Sequence, residues 1–564
     1  MAKNNKKLEV EKLKGEVERL KKELKKRKKY GLVWEEKPEE VVEMCKEKLP
    51  VLKEVKNKEI ITDKDKPVNL LIEGDNYHAL SVLNYTHAGK IDVIYIDPPF
   101  NTGARDWKYN NDYVDSEDGF RHSKWINMME KRLNLAKKLL SRIGVIAIAV
   151  DDNELFNLGL LCDQIFGENN RLAIITVVHK AEGRQFVKGF NTTCEYTLFY
   201  ANNKTNCTIN MVPLDPREQA SFDLVDEYGK YRLENYIRLG GGSASLRINN
   251  PSAWYPIYVS KNCKVISLKR QPGLTPVYPI TKKGEERTWN TSKETFKTNL
   301  ENGQVVAQNE NGRISILRKY YEKKSIKTHW IRPQYNATRY GTQLLQEILG
   351  PNVFDYPKSL YTVEDILKIT TKPNSFVLDF FAGSGTTGHA VLELNKTDGG
   401  NRKFILCTNN ENNIATDVCY PRIKKVIEGY KNLKKEKVGG LGGSLRYFKT
   451  DFVDYDEPTD RNKIKLTEQA TEMLCVKEGT FEKVLDQKNF KVFKNVNHYT
   501  GIIFDQAAIP AFKKAIKDIK GKFSVYVFSL GDETFDSEFK DIKQKVQLSP
   551  IPEVILRVYR RIFK

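Results

Sequence analysis

The chain contains no run of about 18 consecutive apolar residues, so it offers no helix to cross a lipid bilayer. Nor does an apolar stretch follow the lysine-rich first residues, as a secretory leader requires. Cysteine is sparse, with 8 in 564 residues, and no two are spaced as a CxxC pair. That argues against a zinc knuckle or a disulfide framework and points to reduced thiols in a cytosol. The 7 histidines are scattered, so no metal site is expected. Acidic residues fall short of basic ones, 73 against 93, leaving a formal charge of +20. Such an excess favours a polyanionic partner such as nucleic acid. A length of 564 residues excludes a single core and suggests about three or four domains.

What is present is ordered along the chain. Residues 1–38 are basic and helix-prone, with Val10, Leu13, Val17, Leu20 and Leu24 spaced as a short apolar seam. Residues 39–204 then change texture. VNLLIEG at 68–74, IDVIYID at 91–97 and IGVIAIAV at 143–150 are apolar runs of buried parallel strands, separated by helical patterns and an irregular polar loop at 101–121. Residues 205–330 are irregular and rich in Gly, Ser, Asn and Pro, which marks an insert of short strands and loops. The α/β texture resumes over 331–437, with a helix at 342–349 and strands FVLDFF at 376–381 and KFILCT at 403–408. VGGLGGS at 438–444 looks like a linker to a C-terminal α+β domain, 438–564. The fold class is α/β.

Two turns carry chemistry. Asp97-Pro98-Pro99-Phe100 directly follows the strand IDVIYI, at the carboxyl edge of a sheet where α/β proteins bind ligands. Asp97 supplies an acceptor. The two prolines stiffen the backbone and present carbonyls without N–H groups. Phe100 supplies a flat apolar face. Together they suit a planar ring bearing an NH₂ group, and holding both N–H bonds stabilises positive charge that develops on that nitrogen during methyl transfer. The second turn, Phe381-Ala382-Gly383-Ser384-Gly385-Thr386-Thr387, joins a strand to a helix and lets backbone approach a nucleoside-type ligand. It lacks the third glycine of a dinucleotide fingerprint and the Lys-Ser/Thr of a P-loop. Asp379 ends the same strand. Glu411, past the next strand, is placed either to hold ribose hydroxyls or as a plain surface carboxylate, and Asp75 in IEGDN is a candidate for the cofactor's adenine amino group.

Jointly, DPPF and FAGSG resemble the marks of the amino-methylating DNA methyltransferases, in the β-class order of catalytic half, recognition insert and cofactor half. The strings GDNYHAL at 74–80, YIDPPFNTG at 95–103, LDFFAGSGTTGHAV at 378–391, NPSAWYPIYV at 250–259, FDYPKSL at 354–360 and YPRIKKVIEGY at 420–430 are similar to the modification subunits of Type III restriction systems. Phe100 stands where tyrosine is commoner in that family. The resemblance implies a Rossmann-like, seven-stranded, circularly permuted sheet with an inserted target-recognition domain. It implies S-adenosyl-L-methionine as cofactor, the N6 amino group of adenine in double-stranded DNA as target, and base flipping. It also implies a homodimer, a helicase-nuclease restriction subunit as partner, and work on the genome in a prokaryotic cytoplasm. Within the insert, Arg238, Arg247, Lys264, Lys269 and Arg270, with Tyr236, Trp254 and Tyr255, form the expected DNA-reading surface. The alternatives are a solitary adenine methyltransferase, a methyltransferase for another planar amine, and a non-catalytic recognition subunit.

Overall fold

The computed structural model describes residues 34, 37–62, 67–110, 112–183, 189–211, 220–322, 326–351, 353–455, 460–496, 498–531 and 533–563. The helix expected within 1–38 lies almost wholly outside them. Two compact units are present, Met1–Asn210 with Lys327–Lys564, and Met211–Ile326.

The first unit is built on one mixed sheet of eleven strands, wider than the seven expected. In chain order they are β1 (Lys48–Glu54), β2 (Ile60–Ile61), β3 (Val68–Glu73), β4 (Ile91–Ile96), β5 (Leu140–Val150), β6 (Arg171–Val178), β7 (Cys194–Ala201), β8 (His329–Trp330), β9 (Phe376–Asp379), β10 (Lys403–Thr408) and β11 (Ser444–Asp454). Their spatial order is β1-β11-β3-β10-β9-β4-β5-β7-β6-β8, with β2 paired to β11. From β11 through β5 every pairing is parallel, and β7 runs antiparallel to both of its neighbours. The inner strands read as continuous apolar runs because both faces are covered: Ile91, Val93, Ile94 and Ile96 of β4 are all buried.

Helices cover the sheet: α1 (Asn76–Thr86), α2 (Arg121–Leu139), α3 (Leu155–Phe166), α4 (Leu360–Thr370), α5 (Thr386–Asp398), α6 (Tyr420–Glu428) and α7 (Glu553–Phe563). The strand β9 leads through α5 to β10 on one side, while β4 leads through α2 to β5 on the other. The chain therefore reverses its winding between β9 and β4, and a crevice opens at their carboxyl ends, the place where such sheets take ligands.

The polar stretch 101–121 is not wholly irregular. Ala104–Tyr109 and Asp112–Asp115 pair as a hairpin whose Trp107, Tyr109 and Val114 are buried. The glycine-rich run at 438–444 opens directly into β11, between β1 and β3 in the sheet. Beyond it, a five-stranded sheet (482–551) precedes α7, which buries Ile555, Leu556 and Tyr559 in the core shared with α1.

Among its described residues the second unit has a four-stranded and a three-stranded antiparallel sheet and one α-helix, Lys293–Glu301. Its core contains Tyr236, Tyr255, Trp289 and Phe296. Tyr236 and Tyr255 are thus core residues, not reading surface. Their large rings fill the space the short strands leave, whereas Trp254 stacks on Tyr278 with the Arg247 guanidinium 4.4 Å above its ring.

Candidate active site

The strand β4 ends at Ile96, so Asp97 is the first residue to leave the sheet. The turn behind it is pinned from two directions. Trp125 of α2, fully buried, donates its indole N–H to the Pro99 carbonyl at 2.7 Å. Asn101 adopts φ +58° and is buried. Its amide donates to Glu154 Oε1 at 2.5 Å, and its Oδ1 accepts from Trp107 Nε1 at 3.0 Å. Glu154, itself buried, also takes His122 Nδ1 at 2.6 Å and Asn157 Nδ2 at 2.8 Å. A buried carboxylate with three partners can hold this loop rigidly.

The Asp97 carboxylate faces Lys358 Nζ at 3.3 Å, while its Oδ1 is buried and makes no hydrogen bond of good geometry among the described residues. Lys358, in the segment before α4, also reaches Glu195 Oε2 of β7 at 2.5 Å and stands 4.4 Å from the centroid of the Phe100 ring. Burial pushes Asp97 up to about 6; Lys358 pulls against that rise and Glu195 adds to it. The DPPF spacing could not reveal Lys358 or Glu195. FDYPKSL, which contains Lys358, was visible only as a string shared with a family.

The glycine-rich turn leaves β9 at Asp379, which is buried. Its Oδ1 accepts the Phe381 N–H at 3.0 Å and its Oδ2 accepts the Thr387 hydroxyl at 2.5 Å. Burial pushes this carboxyl up to about 7, against both hydrogen bonds and helped by the charge of Asp97. Asp379 therefore braces the turn. Gly383 and Gly385 take φ +50° and +79°, in the left-handed region that favours glycine. A Cβ on Gly385 would lie 3.1 Å from Cys419 Sγ, whereas one on Gly383 would meet nothing nearer than Phe354 Cζ at 3.7 Å. A methyl on the first glycine would make an ordinary contact with Phe354, whereas one on the second would press on buried residues. Ala382, Ser384, Thr386 and Thr387 are buried, and Phe381 is half-buried.

Arg422 of α6 is fully buried and was not foreseen. It donates to Thr386 Oγ1 at 2.8 Å and Ser384 Oγ at 3.0 Å, with His389 Nδ1 at 3.3 Å. No carboxylate pairs with it among the described residues, and burial pushes its guanidinium down to about 10.

Asp75 caps α1, accepting the Tyr77 N–H at 2.7 Å, and lies 3.4 Å from Arg132, which also binds Glu39 at 2.7 Å. The neighbouring Asn76 donates to the Phe380 carbonyl at 3.1 Å and ties α1 to the glycine-rich turn. Glu411 lies in a short turn past β10 and pairs with Lys108 of the hairpin at 2.6 Å. The registers Leu378↔Ile94, Asp379↔Leu406 and Thr408↔Glu73 bring Asp97, Asp379, Glu411 and Asp75 out at the carboxyl ends of four neighbouring strands.

A family model described as DNA methylase matches residues 91–417, more than half of the chain. The chain is 34% identical to the Type III restriction-modification enzyme EcoPI Mod subunit of Escherichia phage P1, over 61% of this chain and 58% of that one. It is 36% identical to the Type II methyltransferase M.KpnI of Klebsiella pneumoniae, over 62% and 82%. It is 30% identical to the StyLTI Mod subunit of Salmonella typhimurium, over 64% and 55%. The chain thus spans little more than half the length of these two Mod subunits. With the match running from the strand that carries DPPF past the turn that carries FAGSG, the chain belongs to the DNA methylase family.

Proposed function

We propose that the chain transfers a methyl group from S-adenosyl-L-methionine to the N6 amino group of adenine in duplex DNA, as the modification subunit of a Type III restriction-modification system. The observation that carries this reading is the adjacency of β4 and β9, which sets the DPPF and FAGSG turns side by side at the reversal of winding. The residues fit the cofactor. Gly383 leaves a partly exposed backbone with no side chain over it, Phe381 offers a half-buried ring, and Glu411 stands one strand away. When bound, the cofactor supplies an electrophilic methyl group.

The chain's own residues then act on the base. Asp97 and the Pro98 carbonyl accept the two N–H bonds of the amine, and Phe100 stacks on the ring. Asp97 Oδ1 is buried, with the Lys358 ammonium at 3.3 Å but no hydrogen bond of good geometry among the described residues, which leaves it able to take that donor. Its negative charge favours the nitrogen as it becomes positive. The adenine must leave the duplex to reach this turn, at a cost of a few kcal/mol that pocket contacts offset. In sheet terms, β3-β10-β9-β4-β5-β7-β6 is read as the seven-stranded methyltransferase core in circularly permuted order, widened by β1, β2, β8 and β11. The unit Met211–Ile326 is read as the target-recognition domain, and the part of residues 438–564 that lies beyond β11 as the docking region for a restriction subunit. The protein works as a homodimer in a prokaryotic cytoplasm.

A second reading is a solitary adenine methyltransferase; the 82% coverage of M.KpnI, a Type II methyltransferase, favours a chain that works without a Type III restriction subunit. Transfer of labelled methyl to duplex DNA, with RNA and protein as controls, tests the activity. Sequencing for methylated adenine then gives the motif, and exchanging residues 211–326 for those of a relative should change it. Pull-down of a restriction subunit separates the two readings.

A further inference from the structure

Lys358 lies between groups that sequence motifs keep apart. Its side chain is 11% exposed, and its ammonium is 3.3 Å from Asp97 Oδ1 and 2.5 Å from Glu195 Oε2. Glu195 is buried as well, its side chain 8% exposed. Two carboxylates held this close and away from water do not both stay ionised unless a cation separates them; otherwise one takes up a proton. With the lysine in place, two negative charges and one positive leave a net charge of −1 beside the Phe100 ring. That is the sign an amine gaining positive charge requires. A protonated Asp97 would donate where it has to accept.

We infer that Lys358 is a positioning residue for methyl transfer, keeping Asp97 ionised against the nearby charge of Glu195 and holding its carboxylate beside the Phe100 ring. The inference rests on the reading of Asp97 and Phe100 as the base pocket. The other groups facing this cluster push against a charge on Asp97 or leave it alone. Asp379 of β9 is a nearby acid, and Tyr95 of β4 is held neutral by burial and by the neighbouring carboxylates. Asp151, at the end of β5, lies within the field of Lys358. Burial works against the charge of Lys358 itself, but Asp97 and Glu195 outweigh it and hold the ammonium above the usual lysine range.

The test uses the full-length protein, with Lys358→Met, Lys358→Arg and the double variant Lys358→Met/Glu195→Gln. Thermal melting and cofactor binding confirm that each is folded. Lys358→Met should lower kcat at pH 7 by about tenfold or more and move the acid limb of the kcat profile to higher pH, with KM for DNA within about threefold of wild type. Lys358→Arg should recover most of the rate. The double variant restores the net charge of −1 without the lysine, so it should recover rate and return the acid limb, which a merely structural lysine would not allow. Infrared difference spectra at pH 7 should show protonated-carboxyl absorbance in Lys358→Met beyond the Asp379 band that wild type and the double variant share. An unmoved acid limb, no new band, or a double variant no better than the single one overturns the inference. If the wild type transfers no methyl to DNA, the proposed activity fails, and the infrared comparison still decides whether Lys358 keeps Asp97 ionised.

Discussion

Alanine at Gly383 and alanine at Gly385 should damage the protein in different ways, although both glycines share a left-handed backbone. Holding a non-glycine residue in that region costs about 1–2 kcal/mol, and both variants carry this term. The surroundings then separate them. The Cβ of Gly385→Ala falls 3.1 Å from Cys419 Sγ and 3.4 Å from Ile423, both buried, so the neighbours must give way. Overpacking of that kind adds about 1 kcal/mol. Gly385→Ala should therefore lose about 2–3 kcal/mol of unfolding free energy, and Gly383→Ala about 1–2. Ligand affinity should follow the opposite order. The methyl of Gly383→Ala would sit 3.7 Å from Phe354 on the partly exposed side of the turn, where the cofactor is proposed to approach, and Kd should rise about tenfold, equivalent to about 1.4 kcal/mol. Gly385→Ala, with its methyl turned toward α6, should keep affinity within about threefold. Denaturant unfolding without ligand and calorimetric titration with S-adenosyl-L-methionine measure the two quantities. Wild-type affinity in Gly383→Ala, or equal stability of the two variants, would refute the argument.

Three further outcomes follow from the same geometry. Asp97→Ala should abolish methylation and leave cofactor affinity within about threefold, measured by label transfer and calorimetry; near-normal turnover removes Asp97 from the base pocket. Because burial pushes Asp97 up to about 6 and the ionised form is the acceptor, kcat should hold above that pH and fall as pH drops through it; a profile flat down to pH about 5 contradicts the acceptor role. Lys108→Ala frees the Glu411 carboxylate from its ion pair, so cofactor affinity should rise by about twofold to fivefold if Glu411 holds ribose hydroxyls; no change means that it does not.

The elements that position the site were legible because their signals are local. IDVIYI is a short apolar run stopped by two prolines, and the structure ends β4 at Ile96; FVLDFF reads as a strand to 381, but the structure ends β9 at Asp379, whose carboxylate turns to accept the Phe381 N–H. The breadth of the sheet was not legible. β11 mixes polar and apolar residues without a continuous apolar run and follows a glycine run, so it reads as the start of another domain although it lies between β1 and β3. Tyr236 and Tyr255 look like surface aromatics amid polar sequence, yet a unit with such short strands needs its large rings for a core.

The least visible features at the site are electrical. Lys358, Glu195 and Arg422 come from segments far along the chain, and each acts on a motif residue through space rather than through spacing. Glu195 interrupts no pattern, since one acidic residue in CEYTLFYA is compatible with a strand that has a wet face; only the fold shows that face to be dry. Arg422 sits in a helix whose sequence, YPRIKKVIE, would place it as readily in solvent as behind the glycine turn. A motif can therefore name the group that accepts a hydrogen bond, but not whether that group is charged when it does so. For Asp97 the answer depends on a cation and a second carboxylate that β7 and the segment before α4 bring to the end of β4. Two chains with the same DPPF string and a different residue at 358 should thus differ in the pH at which they work while sharing the same target atom.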